Sequence, residues 1–407
     1  SRTVDARARE NLPQRIEKLL VPSKDKNQIL RRELHDFLLG SFRIAPDVNA
    51  YKSKQQTVYR QLLEGLSDVI ESLEFSPFRL RIIGTAGSGK TQVTMRFCER
   101  AIERGEKPLL LCFNRPLADK LVALAPKGVK VNTYHGFVRE MAEQCGVEID
   151  FNKADEEGFW RDIQEQLLAA TLAGLPQFDC LVVDEGQDFK ADWYDILQMF
   201  LTDDATQLWL EDPLQNLRNN DPVELQGFVT YRESANFRTP LSIGGFIKGT
   251  LDAEFEQRNH LPGLGVGVYE YEDNTELPAI LERRISEIMK PGFGLDDIAI
   301  ISCRGTKSTA FTDIAQIGSH KLRKFTNEYD GNNEQIYTDG QLNFETIFRF
   351  KGQQAPCVIL VDLDESVERN DWSLGILYCA MTRATMRLEL VVKQDCPWLE
   401  TFRDNLD

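Results

Sequence analysis

Residues Phe78 to Thr91 read FRLRIIGTAGSGKT, and the fold turns on this stretch. Its apolar first half reads as a strand that stops at Gly84. From there every position of the pattern GxxxxGK[ST] is filled by Gly84, Thr85, Ala86, Gly87, Ser88, Gly89, Lys90 and Thr91, with Gln92 following. The glycines let backbone N–H groups curl around phosphate oxygens. A helix expected from Thr91 to about Arg104, closed by Gly105, adds its partial positive charge. Lys90 would then reach the β- and γ-phosphates, and the Thr91 hydroxyl would ligate Mg²⁺. A plain glycine/serine turn has no need of lysine and threonine at this spacing.

A second stretch, Leu181 to Phe189, reads LVVDEGQDF. Three apolar residues run straight into Asp184, Glu185, Gln187 and Asp188. Acids crowded at the end of a buried strand repel one another and are costly to desolvate, so they call for a positive partner. On the same sheet as a phosphate loop, Asp184 fits the carboxylate that holds Mg²⁺ beside Thr91. Glu185 is then placed to orient or deprotonate an attacking water, and Gln187 and Asp188 to couple the site to neighbouring segments.

The chain of 407 residues, 42% hydrophobic and 28% charged, has room for two or three domains and contains no low-complexity tract. No apolar run reaches the roughly 18 residues of a membrane span, and the first ten residues, SRTVDARARE, have no apolar signal core. The eight cysteines are scattered, without a CxxC pair, and several sit inside apolar runs. They read as buried thiols in a reducing cytoplasm, and with four scattered histidines they give no zinc pattern. The net charge of −16 argues against a protein that coats nucleic acid, leaving room only for a local basic groove.

From about residue 52 strand and helix patterns alternate, which means parallel sheets covered on both faces. The alternation pauses at NLRNNDPVELQG and resumes with FVTYRES, so we expect an α/β chain of two tandem P-loop-type domains. The first would span residues 52–227 and the second 228–407, behind a helical N-terminal extension over 1–51. Residues 305–340 are too irregular to assign.

Taken in order, these and further segments resemble the superfamily 1 helicases of the UvrD/Rep type, from about residue 52 to 407. DEGQD resembles the family's DExQD box, LLLCFNRPLADKL and NTYHGF its early DNA-touching boxes, and LWLEDPLQNL its GDxxQ box. NFRTP is similar to NYR, TIFRFKGQQAPCVIL to the TxHxxKGLE box, and LYCAMTRAT matches the last box almost letter for letter. The resemblance implies two RecA-like domains and ATP as cofactor. It implies Gln215 as γ-phosphate sensor, Arg238 and Arg383 as arginine fingers, and Gln354 on the ribose. An adenine-reading glutamine upstream of the loop would be Gln55 or, preferably, Gln56. It also implies single-stranded DNA contacts at Phe113, Asn114, Thr133, His135, Thr346 and Arg349. Arginines supplied by a facing domain neutralise a transferring phosphoryl group only when the cleft closes, which converts hydrolysis into relative domain motion.

The sequence also departs from the family. Only 94 positions separate Lys90 from Asp184, and 108 separate Arg238 from Thr346, so the large accessory insertions are reduced or absent. Asn216, Leu217 and Arg218 follow Gln215 where the family commonly has a base-stacking aromatic. Gln354 replaces the KGLE glutamate, and Phe348 replaces the histidine of TxHxxKG.

Two functions therefore compete. One is an ATP- and Mg²⁺-dependent helicase or translocase on single-stranded DNA. The other is a nucleotide-dependent switch or ATPase subunit acting on a protein partner, for example a nuclease in a bacterial DNA repair or defence complex. A metabolic kinase would give no reason for two arginine-bearing boxes in a second α/β domain.

Overall fold

The computed structural model describes residues 72–150, 158–170, 174–330 and 334–406, together with 48, 52–54, 66, 69 and 70. Gln56 and nearly all of the expected N-terminal extension lie outside the described residues.

The first sheet is wholly parallel, in the order β3-β2-β4-β5-β1-β6. Its strands are β1 (Arg79–Gly84), β2 (Pro108–Cys112), β3 (Lys130–Thr133), β4 (Phe178–Val183), β5 (Leu201–Glu211) and β6 (Val229–Glu233). Between them run α1 (Lys90–Glu103), α2 (Arg115–Leu124), α3 (Tyr134–Gln144), α4 (Phe159–Ala169) and α5 (Ala191–Gln198). Because helices cover both faces, β2 is apolar and buried along its whole length, and β4 is buried at every position but Asp179. Along β2, Leu109 and Leu111 enter one core while Leu110 and Cys112 enter the other. β4 repeats the division, with Leu181 and Val183 on the first side and Cys180 and Val182 on the second.

Two short parallel strands, β7 (Ala235–Asn236) and β8 (Glu256–Gln257), flank α6 (Leu241–Leu251). The second sheet has the order β11-β12-β15-β10-β16-β17-β9, parallel except for the edge pair β11–β12. It is built from β9 (Val266–Tyr271), β10 (Ile298–Ser302), β11 (Gln316–Ile317), β12 (His320–Arg323), β15 (Leu342–Thr346), β16 (Ala355–Leu363) and β17 (Ala384–Lys393). A separate hairpin pairs β13 (Phe325–Tyr329) with β14 (Gln335–Tyr337). The helices are α7 (Leu277–Met289), α8 (Ile347–Phe350), α9 (Asp371–Met381) and α10 (Leu399–Asp404). The α/β class and the tandem parallel sheets are those of two RecA-like domains.

Two local readings are corrected. FVTYRES does not open the second sheet: β6 pairs along β1 from Leu80↔Val229 to Gly84↔Glu233, so the chain leaves the first sheet only after this strand. The polar segment before it is a surface loop that returns the chain to its own sheet. VKVNTYH is a strand only to Thr133, whose hydroxyl accepts from Gly136 N–H and starts α3 at Tyr134. A side-chain cap ends the strand where hydrophobic pattern alone would extend it. The irregular residues 305–340 supply β11 to β14, pieces too short to leave a periodic signature.

Candidate functional site

Ligands of open parallel sheets gather at the carboxyl ends of the strands. Here β4, β5 and β1 are neighbours, so the segments leaving them converge. β1 delivers the glycine loop, β4 delivers Asp184 and Glu185, and β5 delivers Asp212 and, one turn on, Gln215. The resulting cleft is lined by Ala86 through Thr91, Glu185 and Gln215, and from beyond the first sheet by Arg238, Gly352 and Arg383.

Lys90 is buried and donates to the carbonyls of Gly84 (2.6 Å) and Thr85 (3.1 Å). The loop's outer side is taken by the segment after β6: Phe237 N–H donates to Gly87 O at 3.1 Å. Ala86 N–H donates to the Tyr378 hydroxyl at 3.1 Å, so the box LYCAMTRAT reaches the loop with its tyrosine as well as its arginine. Arg383 donates to Gln215 Oε1 (2.8 Å) and to the carbonyls of Cys379 (2.8 Å) and Gln353 (3.3 Å). Gln215 in turn donates to Asp212, whose carboxylate is 4.0 Å from Lys90. Two hydrogen bonds and a 4.0 Å ion pair therefore join the second lobe's arginine to the first lobe's lysine.

The acidic box divides in the same way. Asp184 and Glu185 are both buried, and Glu185 takes a left-handed φ of 58°. Gly186 lets the Trp209 indole pack against the backbone here, because a Cβ on it would stand 2.2 Å from Trp209 Nε1. Burial, with the Glu185 charge beside it, pushes the Asp184 carboxyl above its ordinary value. Glu185 moves the other way: burial raises it, but Lys351, Lys90 and Arg383 outweigh that and hold it below the usual carboxylate range. Gln187 donates to Glu185 Oε2 at 2.6 Å and accepts from Asp212 N–H at 3.0 Å. Asp188 receives Lys351 Nζ on both oxygens, at 2.8 and 2.7 Å.

Lys351, Tyr378 and Asp212 are site residues that the sequence reading did not single out. Each stood inside a quoted box, and the buried lysine of FRFKGQ was the available signal.

The structure separates the expected nucleic-acid contacts. Phe113 and His135 line one cavity, with Trp160, Trp193, Lys190 and Arg218 among the other walls. The Arg218 guanidinium lies 3.9 Å above the Phe113 ring, and Phe113 stacks on Trp193 at 5.8 Å. Burial, then Arg218 and Lys190, lower the His135 pKa to about 4, so this imidazole is neutral. The other four are engaged within the chain or buried. Asn114 donates to the carbonyls of Phe348 (2.8 Å) and Arg349 (3.3 Å), and Thr133 caps α3. Thr346 is buried, and Arg349 is held by Glu345, Gln335 and Tyr337 over the Phe325 ring. Gln92 and Gln354 are exposed, and neither lines the cleft.

A family model described as an AAA domain matches residues 74–218, and one described as the UvrD-like helicase C-terminal domain matches residues 343–391. The chain carries the core of a UvrD/Rep-type superfamily 1 helicase. The first match covers the glycine loop, the acidic box and Gln215; the second covers Thr346, Lys351 and Arg383. Comparison with curated proteins gave no match. In this helicase core no helix among the described residues is long and apolar enough to cross a membrane.

Proposed function

We propose that this helicase core is an ATP- and Mg²⁺-dependent motor on single-stranded DNA, built from a first domain over 52–227 extended by β6 and a second domain that follows. The observation that carries this reading is the single cleft into which one sheet sends Lys90, Glu185 and Gln215 and the other sends Arg383. Ser88 Oγ and Arg238 Nε and Nη1 are buried there without a protein partner, and phosphate oxygens satisfy such groups. Asp184 fits a cation for the same reason: its buried carboxylate ionises with difficulty unless a positive partner is close. Among the described residues no group of three or more His, Cys, Asp or Glu forms a ready cage. That suits Mg²⁺, which keeps waters and takes one or two protein ligands beside the phosphates. Thr91 and Asp184 would be those ligands.

When bound, Mg²⁺ neutralises charge on the β- and γ-phosphates. Lys90 binds the same oxygens. Glu185, held ionised by three cations, is an acceptor only and orients the attacking water. Arg238 and Arg383 stabilise charge that develops in the transition state, and Gln215 reports the γ-phosphate to Arg383. The cavity of Phe113, His135 and Trp160, with Arg218 and Lys190 in its walls, offers aromatic surface and positive charge to a single strand, in place of the aromatic absent after Gln215.

The test is the ATPase rate with and without single-stranded DNA at two salt concentrations. Stimulation that weakens as salt rises is expected, because phosphate contacts release counterions. A second reading, an ATPase switch acting on a protein partner, is favoured by the internal engagement of Asn114, Thr133 and Arg349. ATP hydrolysis indifferent to every DNA and RNA would select it.

A further inference from the structure

Helix α2 presents one face to the second lobe. Its N-cap Asn114 holds the carbonyls of Phe348 and Arg349. One turn on, Leu117 packs so closely on Gly352 that a Cβ there would come within 2.7 Å of it. Gly352 has φ +80°, so the position needs glycine for its backbone as well as for space. One turn further, Lys120 Nζ donates to Gly352 O at 3.0 Å. Positions i, i+3 and i+6 along one side of this helix thus grip Phe348, Arg349 and Gly352 of the facing lobe.

The gripped turn is tied on both sides to the phosphate cleft. Lys351 enters the acidic box, Gly352 lines the cleft, and the Gln353 carbonyl accepts from Arg383. Lys120 is the only one of α2's three contacts that carries charge. Its ammonium feels Arg238 and Arg383 as repulsive neighbours and Asp184 and Glu185 as attractive ones. Burial first, then the two arginines, lower its pKa to about 8. A lysine placed beside two arginines raises the free energy of the joined lobes, and negative phosphate charge between them offsets that cost.

We propose that Lys120 is a positioning residue for phosphoryl transfer: it clamps the Gly352 turn to the first lobe and thereby sets Arg383 in the nucleotide cleft. This rests on the motor reading above. It assigns to α2 a role in the ATPase step, separate from any contact with nucleic acid.

Lys120→Met and Lys120→Arg test it in the full chain, by steady-state ATP hydrolysis and by small-angle scattering with a non-hydrolysable ATP analogue and Mg²⁺. Lys120→Met is expected to lower kcat by about tenfold or more with KM for ATP changed by less than about twofold, the signature of an interaction used in the transition state. Lys120→Arg should retain most of the rate. The analogue should compact the wild type and Lys120→Arg but not Lys120→Met. Equal compaction of Lys120→Met and wild type overturns the proposal, and so does a wild type that the analogue fails to compact. A loss of melting temperature that accounts for the rate also overturns it, because the lysine would then be merely structural. Failure of the motor reading looks different: the analogue compacts the wild type, yet ATP is not hydrolysed.

Discussion

Lys351 Nζ sits 2.8 and 2.7 Å from the two carboxylate oxygens of Asp188, an ion pair between lobes in which both side chains are 4% exposed. Burial alone would lower the lysine's pKa, but Asp188 and Glu185 raise it above the ordinary value, so the ammonium is charged. Breaking one side of such a pair strands a buried charge. Lys351→Met is therefore expected to destabilise the protein by about 3–5 kcal/mol, and adding Asp188→Leu to recover most of that loss. Urea midpoints of the two variants check this. A double variant as unstable as the single one would mean that the pair is not what the lysine contributes.

Lys90→Ala and Glu185→Gln should each reduce ATP turnover by about 100-fold or more, since each removes a charge aimed at the reacting phosphate or water. Glu185→Gln is also expected to keep nucleotide affinity, because the loop that holds the phosphates is untouched. Full activity in Glu185→Gln would remove the role assigned to that carboxylate.

The two arginines differ in their surroundings, and so should their variants. Arg383 is buried and bonded to Gln215, whereas Arg238 has two buried nitrogens without a protein partner. Either alanine variant should slow hydrolysis by about 10³-fold, the scale of an arginine finger. Arg383→Ala combined with Gln215→Ala should cost less than the sum of the singles, because the two residues form one unit. Strict additivity, measured as kcat, would show that the hydrogen bond between them carries no coupling.

His135 makes stability depend on pH. Its folded pKa of about 4 lies below the ordinary value of 6.5, so the unfolded chain binds the proton more readily. The stabilisation is complete above pH 6.5 and is lost as pH falls toward about 4. His135→Phe should flatten the melting-temperature profile in that window relative to wild type, and parallel profiles would rule the imidazole out as the cause.

Much of this architecture could be read directly from residue patterns. The glycine loop, the acidic box and the alternating strands declare themselves because their chemistry depends on neighbours in the chain. Lys351, Tyr378 and Lys120 do not, since each is defined by a partner more than 160 positions away, or in the opposite lobe, whose arrival no local pattern announces. The same limit explains the residues expected to touch DNA. Asn114 has the right type for a backbone contact, but its amide is spent on two carbonyls of the second lobe. Trp160 and Trp193, which shape the cavity around Phe113, sit in helices whose periodicity marks them only as packing residues. The misplaced strand β6 has the plainest cause: hydrophobicity locates a strand but does not say which sheet receives it.

That placement has a practical consequence for dissecting the molecule. β6 closes the flank of β1, and Glu233 O then accepts from Thr85 N–H at the start of the glycine loop. A fragment cut at residue 227 would leave a central strand with bare N–H and C=O groups along one side, an adhesive rim that invites aggregation. A fragment carried past Thr239 keeps that rim sealed and retains Arg238 against the loop. The two halves of this helicase core are thus separable only at a point the polar surface loop does not mark.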